Sequence, residues 1–176
     1  MIVMRGEMMG QKGSLIVLYS YHHKNTEKVA KAIARALDAE IKTPQEVRPE
    51  ELREYGLIGF GSGIYSEKLH ETVLDLADRL PQVTGGKAFV FSTNGAPATL
   101  FSESMSRDQM VNNHRLIKEK LQAKGYAIVG EFTCAGFNTN SFLKHIGGIN
   151  KGRPDAEDLK RAQEFALSLN QELKEN

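Results

Sequence analysis

Ser20, Asn25 and Thr26 place two hydroxyls and an amide where an all-apolar run, Leu15 to Leu18, gives way to a helical repeat. The first-turn N–H groups of a helix have no partner inside it, and with the helix dipole they favour an anion by about 0.3 to 2 kcal/mol. A phosphate with about two negative charges suits such a terminus, and Lys24 can add a direct charge. The same residue types also serve as plain helix caps. Downstream, Tyr65 follows Gly61-Ser62-Gly63-Ile64, a position from which a ring can lie against a flat ligand. Stacking of that kind is worth about 1 to 3 kcal/mol by analogy with base–aromatic contacts.

Other constellations carry less chemistry. His22 and His23 are adjacent, and consecutive side chains in extended backbone point apart, so a shared metal does not follow. Cys134 precedes Gly136, but no arginine follows closely enough for a phosphatase-type cradle, and a lone buried cysteine packs as a small apolar residue. Lys144, Lys151 and Arg153 surround Gly147, Gly148 and Gly152. They read as a solvated loop, or as a receiver for a dinucleotide phosphate or an acidic partner.

The elements that position these groups alternate. Val29, Ile33 and Leu37 recur at helical spacing after the first strand, and Glu40–Lys42 makes a short second strand ended by Pro44. A brief helical turn from Pro49 leads to a third strand, Leu57 to Gly61, and then to Gly61–Tyr65 as a flexible loop. Leu69, Val73, Leu76 and Leu80 mark the next helix, Lys87–Thr93 a fourth strand, and Leu116, Ile117 and Leu121 a helix stopped at Gly125. The segment Ala98–Val111 fits neither period. Tyr126–Cys134 is a fifth strand, and a last helix starts near Asp155 with Asp158 three residues on.

Strand–helix alternation forces right-handed crossovers and a parallel sheet covered on both faces. The loops after the strands' carboxyl ends then gather at one edge, where ligands bind. Ser20–Thr26, Gly61–Ser66, Ser92-Thr93-Asn94-Gly95-Ala96-Pro97 and Cys134–Thr139 meet there, rich in small donors.

With 176 residues and 40% hydrophobic content, the chain suits one domain, residues 14–176, behind a frayed tail, residues 1–13. A formal charge of +1 with mixed signs throughout gives no footprint for nucleic acid. One cysteine and no apolar run of membrane length point to a cytoplasmic protein.

Tyr19 to Thr26, Gly59 to Tyr65, Phe91 to Gly95 and Cys134 to Thr139, in that order, resemble the flavodoxin family, especially flavodoxin-like proteins of anaerobic bacteria and archaea. The resemblance spans Leu15 to Leu173. It implies a flavodoxin-like three-layer α/β sandwich, with a five-stranded parallel sheet in the order 2-1-3-4-5 and a noncovalent FMN. Ser20, Tyr21, His22, Lys24, Asn25 and Thr26 then become phosphate contacts. The flavin ring falls between Gly61-Ser62-Gly63-Ile64-Tyr65, with Tyr65 stacking, and Ser92-Thr93-Asn94-Gly95. Gly61, Ser62 and Gly63 lie where the family lets a peptide turn over toward reduced flavin N5. The family usually has threonine and glycine where His23 and Lys24 stand, and its long-studied electron carriers are strongly acidic, unlike this chain.

The function implied is a low-potential electron carrier between redox proteins. Two alternatives remain. One is an FMN-dependent NAD(P)H or quinone oxidoreductase, in which Ala98–Val111 and Arg153 help hold the second substrate. The other is a flavin-free binding module. Phe101, Met105 and Met110 are expected to cover the flavin or to meet a second subunit in a homodimer.

Overall fold

The computed structural model describes residues 12–97 and 103–175. Its first unit is β1 (Lys12–Tyr19), whose centre, Leu15 to Leu18, is buried on both sides, followed by α1 (Asn25–Leu37). Then come β2 (Glu40–Lys42), a 3₁₀ turn (Pro49–Glu54), β3 (Tyr55–Tyr65), β4 (Lys68–Leu69) and α2 (Glu71–Arg79). The chain continues through β5 (Gly86–Asn94), α3 (Glu103–Ala123), β6 (Tyr126–Ala135), a second 3₁₀ turn (Ser141–Ile146) and α4 (Ala156–Glu175).

The five parallel strands lie in the order β2-β1-β3-β5-β6, the order expected once β4 is set aside. The sheet nonetheless has six strands, because Lys68–Leu69 folds back antiparallel on Ile64 and Tyr65. Ser66 and Glu67 form the two-residue turn between them, both with positive φ, as a tight hairpin with right-handed twist requires.

Alternation along the strands sorts the core into two layers. Leu15, Val17, Ile58, Phe60, Ala88 and Val90 meet α2 and α3 through Val73, Leu76, Ile117 and Leu121. Ile16, Leu18, Phe89, Phe91 and Phe132 meet α1 and α4 through Val29, Ile33, Ala166 and Leu169. Both faces are covered, so the central strands read as continuous apolar runs.

Four expectations need correction. Gly61–Tyr65 is not a loop: β3 runs straight through it, with Gly61 paired to Leu18 and Phe91, Ser62 to Tyr19 and Ser92, and Gly63 to Thr93. The glycine at 61 serves packing, since a Cβ there would come within 2.1 Å of the Phe91 ring. The strand expected to end at Thr93 runs one residue further, so Asn94 is also part of β5 rather than of the loop. The irregular segment becomes helix from Glu103, so Met105 and Met110 belong to α3, while Phe101 lies outside the described residues. Finally, Lys12 and Gly13 belong to β1, whereas residues 1–11 of the expected tail lie outside the described residues.

The C-terminal half of α3 was expected from Leu116, Ile117 and Leu121, but its start was not, because polar residues occupy the buried stripe there. Asn113 and His114 sit where apolar residues would precede Ile117 and Leu121, and His114 is fully buried. α4 opens on a reciprocal cap: the Asp158 N–H donates to Asp155 Oδ1 and the Asp155 N–H to Asp158 Oδ2, each at 3.0 Å.

Candidate functional site

Order reversal between β1 and β3 leaves a crevice at the carboxyl edge of the sheet, where neighbouring connections depart to opposite faces. The crevice is lined by Ser20, Tyr21, His22, His23, Asn25 and Thr26 from the β1–α1 loop. Gly63, Ile64 and Tyr65 come from the end of β3, and Thr93, Asn94 and Gly95 from the end of β5. Gly136, Phe137, Asn138 and Asn140 close it after β6. It is a cleft of about 80 Å³ that opens to solvent, so the larger portion of any ligand would lie across its rim.

The β1–α1 loop is held by its own side chains. Ser20 Oγ accepts from the Glu27 N–H at 3.2 Å, so it satisfies a first-turn donor that the side chain of the N-cap residue, Lys24, leaves open. Thr26 and Thr93 share a buried hydroxyl contact of 2.8 Å that ties the helix start to β5. Asn25 Nδ2 donates to Phe137 O at 2.8 Å, leaving Asn25 Oδ1 buried with no hydrogen-bond partner. A buried acceptor without a donor costs about 1 to 3 kcal/mol, and a ligand hydroxyl or N–H would satisfy it.

His23 and Lys24 both take left-handed backbone, φ 52° and 53°, where a side chain costs about 1 to 2 kcal/mol relative to glycine. His23 Nε2 lies 2.8 Å from Thr139 Oγ1, and the ring packs on Phe137 at 4.6 Å between centroids. The imidazole therefore joins the first loop to the last. Lys24 turns away: its Nζ donates to Ser20 O at 3.4 Å and pairs with Glu27 at the same distance. Among the described residues, no lysine or arginine lines the crevice.

Tyr65 forms an aromatic wall. Its ring stands over Gly63, where a Cβ would lie 3.3 Å from it, and packs edge-on against His70 at 5.0 Å. His70 stacks flat on Tyr19 at 3.7 Å with 13° between planes. Burial moves the Tyr65 hydroxyl above its usual range and the His70 imidazole below it, in spite of Glu71 and Asp75 nearby. The neutral ring suits its hydrogen bonding, because His70 Nδ1 accepts from the Thr72 N–H at 3.2 Å and caps α2.

Among the residues expected at the site, Ser20, Tyr21, His22, Asn25, Thr26, Gly63, Ile64, Tyr65, Thr93, Asn94 and Gly95 line the crevice. Gly61, Ser62, Ser92 and Lys24 do not. Ser62 is buried in the sheet, donating to Gly63 O at 2.6 Å and accepting from the His70 N–H at 2.9 Å. Ser92 Oγ lies 2.8 Å from His114 Nε2, while His114 Nδ1 lies 3.0 Å from Glu131. Lys118 donates to the same carboxylate at 2.6 Å. This Ser–His–Glu sequence of contacts resembles a catalytic triad, yet Ser92 is completely buried and no substrate can reach it.

Sequence reasoning brought the Cys134–Thr139 loop to this edge but did not name Gly136, Phe137 or Asn138 as contacts, and it left out His23 and Asn140. The adjacency of His23 to the helix start was the available signal. Cys134 is buried, and burial pushes its thiol up to about 12, so no thiolate nucleophile exists there at neutral pH. Arg153 is held by Asp158, with Asp155 alongside.

Comparison with known proteins follows the same lines. No protein-family model matches the chain. Solved structures similar to it include oxidised Flavodoxin 2 from Bacillus cereus, with TM-score 0.62 and 21% identity, covering 92% of this chain and 99% of that one. A flavodoxin from the domain Archaea aligns with TM-score 0.56 and 18% identity over the same shares. The uncharacterized protein MJ0298 of Methanocaldococcus jannaschii is 44% identical over 156 residues, 89% of this chain and 97% of that protein. The chain therefore belongs to one family with MJ0298 and has the flavodoxin-like fold.

Proposed function

We propose that the protein binds FMN in this crevice and carries electrons at low potential between cytoplasmic redox proteins. The observation that carries the reading is the convergence of the α1 start, the Tyr65 ring and the Asn94 end of β5 on one crevice at the reversal of the sheet. When bound, FMN supplies the one- and two-electron chemistry.

The chain's own groups fit such a ligand. The first turn of α1 and the Ser20–Thr26 loop would receive the phosphate, and Asn25 Oδ1 is an acceptor in want of a donor, which a ribityl hydroxyl provides. Tyr65, braced by His70 and Tyr19, offers a ring edge or face to the isoalloxazine. Among the described residues the lining holds no lysine or arginine, so none of them supplies a permanent cation to stabilise added negative charge there, which favours a lowered potential. Tenfold tighter binding of the oxidised form shifts a one-electron couple down by about 59 mV.

A second reading, an FMN-dependent reductase, is favoured by one feature. A cavity of about 220 Å³ beside β6 is lined by Met110, Cys134, Arg153 and Arg161 and shares Asn94 with the crevice. Asp158 contacts both arginines, so the cavity offers little free positive charge to a nucleotide, and the carrier reading is preferred. Purified protein mixed anaerobically with FMN and then NADPH separates the two: a carrier stays yellow without an added reductase, and a reductase bleaches.

A further inference from the structure

The three most exposed large apolar side chains among the described residues are Tyr21, Phe142 and Ile146, at 70%, 67% and 66% exposure. Tyr21 lines the crevice from the β1–α1 loop, and Phe142 and Ile146 belong to the 3₁₀ turn that directly follows the lining residue Asn140. Single exposed apolar residues are ordinary; three at the mouth of one site are not.

The segment is also built to hold them outward. Asn138 and Ile149 pair as a bridge with both backbone hydrogen bonds made, at 3.0 and 2.9 Å, and the Gly148 N–H donates to Leu143 O at 2.8 Å. Asn150 Nδ2 reaches Ala96 O at 2.7 Å, fastening the return to β5. Between Glu131 and Asp155 the chain contains no acidic residue, while Lys144 and Lys151 stand exposed on this loop. An apolar-centred segment that carries two exposed lysines and no acidic residue therefore adjoins one side of the proposed redox site.

We propose that the rim formed by Tyr21, Phe142, Lys144, Ile146 and Lys151 is the docking surface for an acidic electron-transfer protein, whose carboxylates meet the two lysines while its own apolar centre covers Phe142 and Ile146. This rests on the electron-carrier reading for its purpose but not for its detection. Charge of this kind steers encounter and suppresses wrong partners, and the apolar centre is what holds the encounter complex together. Approach at this rim brings a partner to the mouth of the crevice, the shortest route to a cofactor held there.

Two probes with one fold and opposite charge test it: native cytochrome c, which is basic, and the same protein with its lysines succinylated, which is acidic. In ¹⁵N NMR titrations at low salt, the succinylated form is expected to shift amides of Tyr21–Lys24 and Asn138–Gly152, and high salt is expected to abolish the shifts. Lys144→Glu with Lys151→Glu is expected to remove them, and Phe142→Ser with Ile146→Ser to weaken them at low salt. Amide dispersion of each variant, read in the same spectra, reports folding, and Lys144→Gln with Lys151→Gln gives a milder charge change. With FMN loaded and reduced, the acidic probe should be reduced about tenfold or more faster at low than at high salt. No shifts, shifts elsewhere, or equal shifts with native cytochrome c overturn the proposal. Because the NMR readout needs no flavin, failure of FMN to bind sinks the functional reading without deciding this one.

Discussion

The hydroxyls of Thr26 and Thr93 lie 2.8 Å apart and buried, fixing the first turn of α1 to the end of β5. Replacing Thr93 with Val keeps the shape and leaves the Thr26 hydroxyl without its partner. The expected loss is about 1 to 3 kcal/mol in urea unfolding, and the double replacement, Thr26→Val with Thr93→Val, should cost less than the sum of the singles. Additive losses would show that the two hydroxyls do not act as a pair.

Gly61 distinguishes packing from hinge. A Cβ there would meet the Phe91 ring at 2.1 Å, whereas at Gly63 it would meet Tyr65 at 3.3 Å. Gly61→Ala is expected to destabilise by about 1 to 3 kcal/mol, with Gly63→Ala costing clearly less. Equal, small effects on stability at both would contradict the packing assignment.

Lys24 occupies left-handed backbone without lining the crevice. Lys24→Gly relieves about 1 to 2 kcal/mol of backbone cost, offset in part by the greater freedom glycine has in the unfolded chain. The net expectation is a thermal midpoint equal to or above that of the parent. A drop of several degrees would mean that the Lys24 contacts with Ser20 O and Glu27 outweigh the strain.

Most of the fold was legible because buried parallel strands announce themselves: Leu15–Leu18 and Ala88–Phe91 are apolar without interruption and buried on both faces. What stayed hidden depended on partners distant in sequence. Gly61-Ser62-Gly63 looks like a turn until Phe91 is known to need the space over Gly61 and His70 to need the Ser62 hydroxyl. The start of α3 reads as irregular because its buried positions are Asn113 and His114, the latter satisfied by Ser92 and Glu131 on two strands. In the crevice, His23 shows its use only beside Thr139, 116 residues away.

His70 makes the aromatic wall sensitive to pH. Burial lowers its pKa from the ordinary 6.5, so folding favours the neutral ring, and the stabilisation is complete above 6.5 and declines as pH falls through the lowered value. Protonation would also remove the acceptor that Nδ1 presents to the Thr72 N–H. His70→Asn keeps a capping acceptor but cannot titrate. Its thermal midpoint should change less between neutral pH and about pH 5 than that of the parent; identical pH profiles would remove His70 from the account.

The central claim, that one crevice formed by the β1–α1 loop, Tyr65 and Asn94 holds FMN, is tested most directly by fluorescence titration of FMN with the purified protein. Quenching at micromolar concentrations is expected, weakened at least about tenfold by Asn25→Leu, which removes the buried acceptor, and by Tyr65→Ala, which removes the wall. A well-folded protein that leaves FMN emission unchanged would contradict the claim.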